Sequence, residues 1–157
     1  MTPFFNVIDT LTTALKAEPF TNTVTFGDLD DVDLNKLTIF PLAHIIVNTA
    51  TINEETISMN ISILLADTVL TKDGKVWVDS SQNVINKRDN NEQEVQNTQL
   101  AIASRLMAKL QRGTLYQTKY QLDGSASLDP FVERFDNKLA GWSMTFDLLI
   151  PNDMTTC

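Results

Sequence analysis

The sequence predicts an α+β fold: an antiparallel sheet with a long hairpin, carrying an N-terminal helix and one long helix on one face. Three stretches carry that prediction. In residues 56–65, polar Thr56, Ser58, Asn60 and Ser62 alternate with apolar Ile57, Met59, Ile61, Ile63 and Leu65, the period of two required of a strand with one buried face. Residues 142–150 follow the same period, with Trp142, Met144, Phe146, Leu148 and Ile150 alternating with Ser143, Thr145, Asp147 and Leu149. Residues 92–112 follow a helical period instead, placing Val95, Gln99, Ile102, Leu106 and Leu110 near one line.

The elements follow in order. Val7, Ile8, Leu11, Ala14 and Leu15 have helical spacing, so residues 6–17 are expected to form an amphipathic helix with Asn6 as N-cap and Pro19 just past its end. Thr23-Val24-Thr25-Phe26 reads as a short strand, and an acidic loop with room for a single helical turn fills about 27–37. Residues 43–52 are β-rich and Asn53-Glu54-Glu55 is a polar turn, so this segment and the strand from Thr56 form a long hairpin. Asp73-Gly74 suits a tight turn into Val76-Trp77-Val78. Residues 79–91 are polar and read as a long exposed loop. In the long helix, Glu92 and Glu94 lie in the first turn and Arg105, Lys109 and Arg112 toward the end, complementing the helix dipole, and Gly113 stops it. Residues 114–122 alternate loosely as a strand, Asp123-Gly124-Ser125 punctuates them, and Pro151 ends the closing strand. No repeat or linker divides the chain, so residues 1–157 form a single domain, as expected for 157 residues.

Composition narrows the function classes. Twelve Lys and Arg against 20 Asp and Glu leave a net charge of −8, the wrong sign for gripping nucleic acid or an anionic membrane surface. No apolar run approaches the roughly 20 residues of a membrane-spanning helix, and residues 1–5 lack the basic start of a signal peptide. A single cysteine, Cys157, rules out an intrachain disulfide and fits a reducing compartment. The chain is therefore expected to be soluble and intracellular where it is made. One histidine, His44, excludes any site built on two imidazoles.

The candidate chemistry is sparse. Asp28, Asp30, Asp31 and Asp33 are the only dense ionisable cluster, but against the EF-hand template the sixth position is Asp33 instead of Gly and the twelfth is Ile39 instead of Glu. A solvated acidic loop or an acidic partner surface is the better reading. His44 lies in a strand, in phase with Ile46 and opposite Ile45 and Val47, which points to a surface or subunit contact. Cys157 follows a polar tail and lacks the ordered base a reactive thiolate needs. No nucleophile elbow, Walker A loop or dinucleotide fingerprint is present. Neither enzymatic activity nor a cofactor or metal is expected.

Three features suit assembly. The hairpin and closing strands are longer than a small core requires, and overhanging strands offer edges to a neighbour. The loop at 79–91 is long and polar, with Asn83, Lys87 and Arg88 as candidate contacts alongside Asp28, Asp30, Asp31, Asp33 and His44. The Thr, Asn and Gln content suits wet protein–protein contacts.

These pieces resemble the neck and tail-completion proteins of tailed bacteriophages, the tail-terminator type above all. The residues that carry the resemblance are Pro41-Leu42-Ala43-His44 leading into the hairpin, Ile61-Ser62-Ile63-Leu64-Leu65-Ala66-Asp67 closing its second strand, the variable loop and helix that follow, and residues 133–142 running through 148–153. The ending is similar to such proteins from phages of Bacteroidetes hosts, including crAss-like phages. The resemblance implies a virion structural protein, made in the host cytoplasm, that closes into rings of roughly six or twelve copies. Such a ring, a tail terminator or head–tail connector, surrounds the DNA channel and contacts portal-side and tail-side proteins. DNA would pass through it without sequence-specific binding, and no membrane is involved. From another class, the residues also fit a cytoplasmic, non-enzymatic α+β domain that binds a ligand or regulates a partner.

Overall fold

The computed structural model describes residues 3–34, 36–70, 77–78, 80–81, 84–86, 91–117, 119–134 and 138–152. Helix α1 (Pro3–Lys16) leads into strand β1 (Thr23–Phe26), then β2 (Leu42–Ile52) and β3 (Thr56–Thr68). Two short strands, β4 (Trp77–Val78) and β5 (Val84–Asn86), precede α2 (Glu92–Arg112) and the single turn α3 (Thr114–Gln117). Strands β6 (Gln121–Arg134) and β7 (Leu139–Pro151) complete the fold. The main sheet has five strands in the order β1-β2-β3-β7-β6, and the α+β class read from the sequence holds.

Strand parity sets the layers. Ile45 pairs with Ile63, Val47 with Ile61, Ile61 with Phe146 and Met59 with Leu148. These side chains face the helices, where Val7, Leu11 and Leu15 of α1 and Ile102, Leu106 and Leu110 of α2 join them in one core. Each such residue contributes about 1.5–3 kcal/mol by leaving water. A smaller cluster of Phe40, Leu42, Ala66, Phe131 and Leu139 lies at one end of the opposite sheet face. Gly141 of β7 lies beside β3, paired with Ala66.

Several expectations change. The sheet is mixed, because β1 runs parallel to β2, pairing Thr25 with His44 and Phe26 with Ile45. Parallel neighbours need a long crossover, and residues 27–41 supply it. That crossover contains two 3-10 turns, Leu29–Asp31 and Leu37–Ile39, where a loop with one turn was expected. It is more than a solvated connection, since Val32, Leu34 and Ile39 pack onto the second cluster while Asp28, Asp30, Asp31 and Asp33 face water. Asn22 holds its far end, donating from Nδ2 to the carbonyls of Thr38 at 2.8 Å and Phe40 at 3.3 Å. The Phe40–Pro41 peptide is cis.

Helix α1 begins at Pro3, so Asn6 lies inside it and is not its N-cap. Thr114–Gln117 is helical, because Gln117 N–H bonds back to Gly113 O, and the strand starts only at Gln121. Asp123-Gly124-Ser125 does not end β6; the pairing with β7 shifts register between Asp123 and Ser127 and then resumes. The segment expected as an unbroken loop at 79–91 contains β5, which pairs with β4. The Asp73-Gly74 turn lies outside the described residues. At the end of α2, the Gly113 N–H bonds to Lys109 O in an extended conformation, so it is not a left-handed stop.

The two helices are joined by an ion pair that neither periodicity indicates. Glu18, only 6% exposed, accepts from Arg105 Nε at 2.6 Å and from Lys109 Nζ at 3.2 Å. Arg105 and Lys109 are one turn apart on α2, so one flank of that helix grips the end of α1. Because Arg105 is half exposed, the pair is worth less than a fully buried one. Glu18→Gln is expected to cost about 1.5–3 kcal/mol, the range for hydrogen bonds to charged groups. A double-mutant cycle with Arg105→Met, read from urea midpoints, is expected to return much of that loss as coupling energy; additive losses would mean the pair is incidental.

Candidate interaction surfaces

The helix-free face of the sheet divides into two regions. The crossover and the second cluster cover one end. The rest is a polar surface whose side chains bond across strands. Asn48, displaced at the register shift between Val47 and Thr49, donates from Nδ2 to Asn60 Oδ1 and Ser62 Oγ, both at 2.8 Å. Asn60 Nδ2 in turn donates to Asp147 Oδ1 at 2.8 Å, and the Ser62 and Thr145 hydroxyls bond at 3.0 Å. This ladder spans β2, β3 and β7, orienting neutral polar groups on a flat surface able to make wet protein–protein contacts.

Beyond the helices, residues 49–55 of the hairpin are exposed on every side, with Ile52 at 72%. Asn152 steadies the tip, its N–H donating to Glu55 O at 2.8 Å and its Nδ2 to Asn53 O at 3.0 Å. A groove of about 250 Å³ runs beside it, between Thr56, Lys119, Gln121 and Pro151. A second groove of about 410 Å³ lies on α2 between Gln93, Gln96, Asn97, Leu100 and Trp142. Trp142 Nε1 donates to Gln96 O at 2.8 Å, fixing the indole against the helix.

Of the residues singled out from sequence, Asp28, Asp30, Asp31, Asp33 and His44 are among those the structure describes. Asp28, Asp30, Asp31 and Asp33 are all exposed along the crossover, and Asp28 Oδ1 accepts from Asp30 N at 3.1 Å as a local cap. Among the described residues, no group of three or more His, Cys, Asp or Glu could hold a metal ion, and no helix is long and apolar enough to cross a membrane. Asn83, Lys87, Arg88 and Cys157 lie outside the described residues.

His44 requires a correction. Its parity is as read, opposite Ile45, yet it is fully buried and not a surface residue. The crossover and β1 close over it, which strand parity alone does not reveal. Its Nε2 lies 3.0 Å from Gly27 O, and a carbonyl only accepts, so Nε2 carries the proton. Nδ1 then accepts from the Thr25 hydroxyl at 2.7 Å. Neutral His44 thus ties β1 to β2 at both ends of the imidazole.

Burial lowers the His44 pKa below 6.5, with the Gly27 bond and the Asp28 charge pulling the other way. A depressed folded-state pKa means that stability is complete above the unfolded value and falls as acid protonates the unfolded chain first. Between pH 7.5 and 5.5, the unfolding free energy is therefore expected to drop, by at most about 1.4 kcal/mol per pH unit. Asp67, whose carboxyl is raised by burial, opposes this trend, since its folded form binds a proton more readily than the unfolded one. Because the chain has one histidine, the difference between wild type and His44→Gln isolates the effect. Equal slopes for the two would refute the assignment.

Compared with protein-family models and with curated proteins, the chain matches none. The candidate surfaces therefore rest on their own geometry. Sequence reasoning missed the Asn48–Asn60–Asp147 ladder, the edge-to-face contact of Phe4 with Phe26 and, inside the fold, the Glu18 clamp. Only adjacent Phe4 and Phe5 at the start of α1, and cations spaced by four on α2, give any signal.

Proposed function

We propose that this protein is a structural component of a tailed-phage virion, one subunit of a neck or tail ring that surrounds the DNA channel. It joins portal-side and tail-side proteins, and its role is architectural, not catalytic. The observation that carries this reading is the hairpin of 11- and 13-residue strands, whose exposed end reaches past the helices from a sheet with an uncovered polar face. Strands of that length exceed the usual five or six residues, and their overhang suits contact with a neighbouring subunit. Two open sheet edges, β1 and β6, flank the same sheet. The net charge of −8, repeated around a ring, would let duplex DNA slide past without adhering.

Light scattering with negative-stain imaging of the purified protein tests the reading. A closed ring is expected, alone or with portal-side and tail-side neighbours, and no retention of duplex DNA at low salt. A protein that stays monomeric or dimeric under all these conditions would overturn it and favour a free-standing regulatory domain.

A further inference from the structure

A ring built from identical subunits needs two different surfaces, on opposite flanks, that fit each other. On the β1 flank, Phe4 and Phe26 meet edge to face with ring centroids 5.8 Å apart. Both are about half exposed, and Phe5, the next residue along α1, is 68% exposed. From typical aromatic areas, the three rings leave roughly 300 Å² of apolar surface in water, a sizeable part of the roughly 800 Å² each partner buries in a stable interface. β1 is the terminal strand on that side of the sheet, so the rings lie at the edge of the molecule.

The complementary surface is the groove of about 410 Å³ on α2. Helical geometry places it on the far flank. Arg105 and Lys109 mark the side of α2 that faces α1, through Glu18. At 100° per residue, Gln93, Gln96 and Leu100 fall on the other side of the buried stripe formed by Val95, Ile102 and Leu106. The groove therefore opens away from α1, toward the β6 side of the sheet. Its apolar part is Leu100, 39% exposed, and the half-buried Trp142 ring, which Gln96 O holds in place. An aromatic knob against a fixed indole within an amide rim is the arrangement that concentrates binding energy at interfaces.

We infer that in the ring proposed above, Phe5 and the Phe4–Phe26 pair of one subunit seat in the Leu100–Trp142 groove of the next. The inference rests on the ring reading and assigns its head-to-tail contact. Because the knob and the groove belong to different flanks, disabling either leaves the other usable.

The test uses Phe5→Asp and Leu100→Asp in the full-length chain, followed by sedimentation at matched concentrations. Both side chains are exposed, so wild-type circular dichroism is expected for each. Each variant alone is expected to assemble at least about 30-fold more weakly than wild type. An equimolar mixture is expected to form one-to-one pairs that grow no further, since one intact knob and one intact groove remain. Wild-type rings from either single variant, or no pairing in the mixture, would overturn the inference and leave the ring reading standing. A wild-type protein that never assembles would overturn both. Should either Asp variant fail to fold, Phe5→Cys with Leu100→Cys on a Cys157→Ser background provides the readout. Oxidation is then expected to yield a ladder of covalent multimers, and its absence from assembled protein would refute the contact.

Discussion

Replacing Ile61 or Phe146 with Asp is expected to leave the chain unfolded at room temperature. The two residues form a cross-strand pair between β3 and β7, beneath both helices, and are 0% and 2% exposed. Phe146→Ala alone is expected to cost about 3–5 kcal/mol by opening a cavity. Against a total stability of about 5–15 kcal/mol, that is already a large fraction. A carboxylate at either position adds the cost of an unpaired buried charge, several kcal/mol more, and the sum exceeds what a domain of this size holds. Ser58→Asp is the matched control, because Ser58 pairs with Thr51 and Leu149 on the helix-free face, where substitutions stay within about 0.5–1 kcal/mol. Far-UV circular dichroism and thermal melting read all of them. A folded Ile61→Asp, or an unfolded Ser58→Asp, would reverse the assignment of the two sheet faces.

Gly141→Ala is expected to be nearly as damaging, for a backbone reason. A Cβ built on Gly141 would stand 1.8 Å from Leu65 O and 2.9 Å from Leu65 C. Both atoms belong to the neighbouring strand's main chain, so no rotamer change relieves the clash. The β3–β7 ladder must open at that point, and φ there is +155°, a value side-chain-bearing residues avoid. A loss of about 3 kcal/mol or more is expected, at the upper end of overpacking effects. Gly124→Ala separates the two causes. Gly124 also has positive φ, +78°, but nothing lies within 4 Å of its added Cβ, so only conformational strain of about 1 kcal/mol applies. Urea denaturation of the two variants gives the comparison. Equal losses would mean that the contact with Leu65 contributes nothing beyond backbone strain.

The two glycines also show where sequence reading runs out. Both sit among strand residues, and nothing local distinguishes one pressed against a neighbouring carbonyl from one in open space. His44 makes the same point. Its alternation with Ile45 places it on the right face, but whether that face meets water depends on residues 27–41 crossing over it. The density of acid in residues 28–33 matches the exposure of its aspartates, but not the packing of Val32, Leu34 and Ile39 onto the sheet. Those apolar residues are too few and too irregularly spaced to signal packing.

The sequence by itself marked the hairpin, α2 and the closing strand and the face each one buries, but not the 14-residue β6. The hairpin, α2 and the closing strand all carry a periodicity repeated over several turns or pleats, and local backbone geometry turns that period directly into a stripe of buried side chains. Only the tertiary structure decided the parallel pairing of β1, the burial of His44 and Glu18, the closeness of Gly141 to Leu65, and the placing of an aromatic edge and a groove on opposite flanks. Each of these depends on which surfaces meet after the chain has turned back on itself, and residues distant in sequence carry no periodic mark of that meeting.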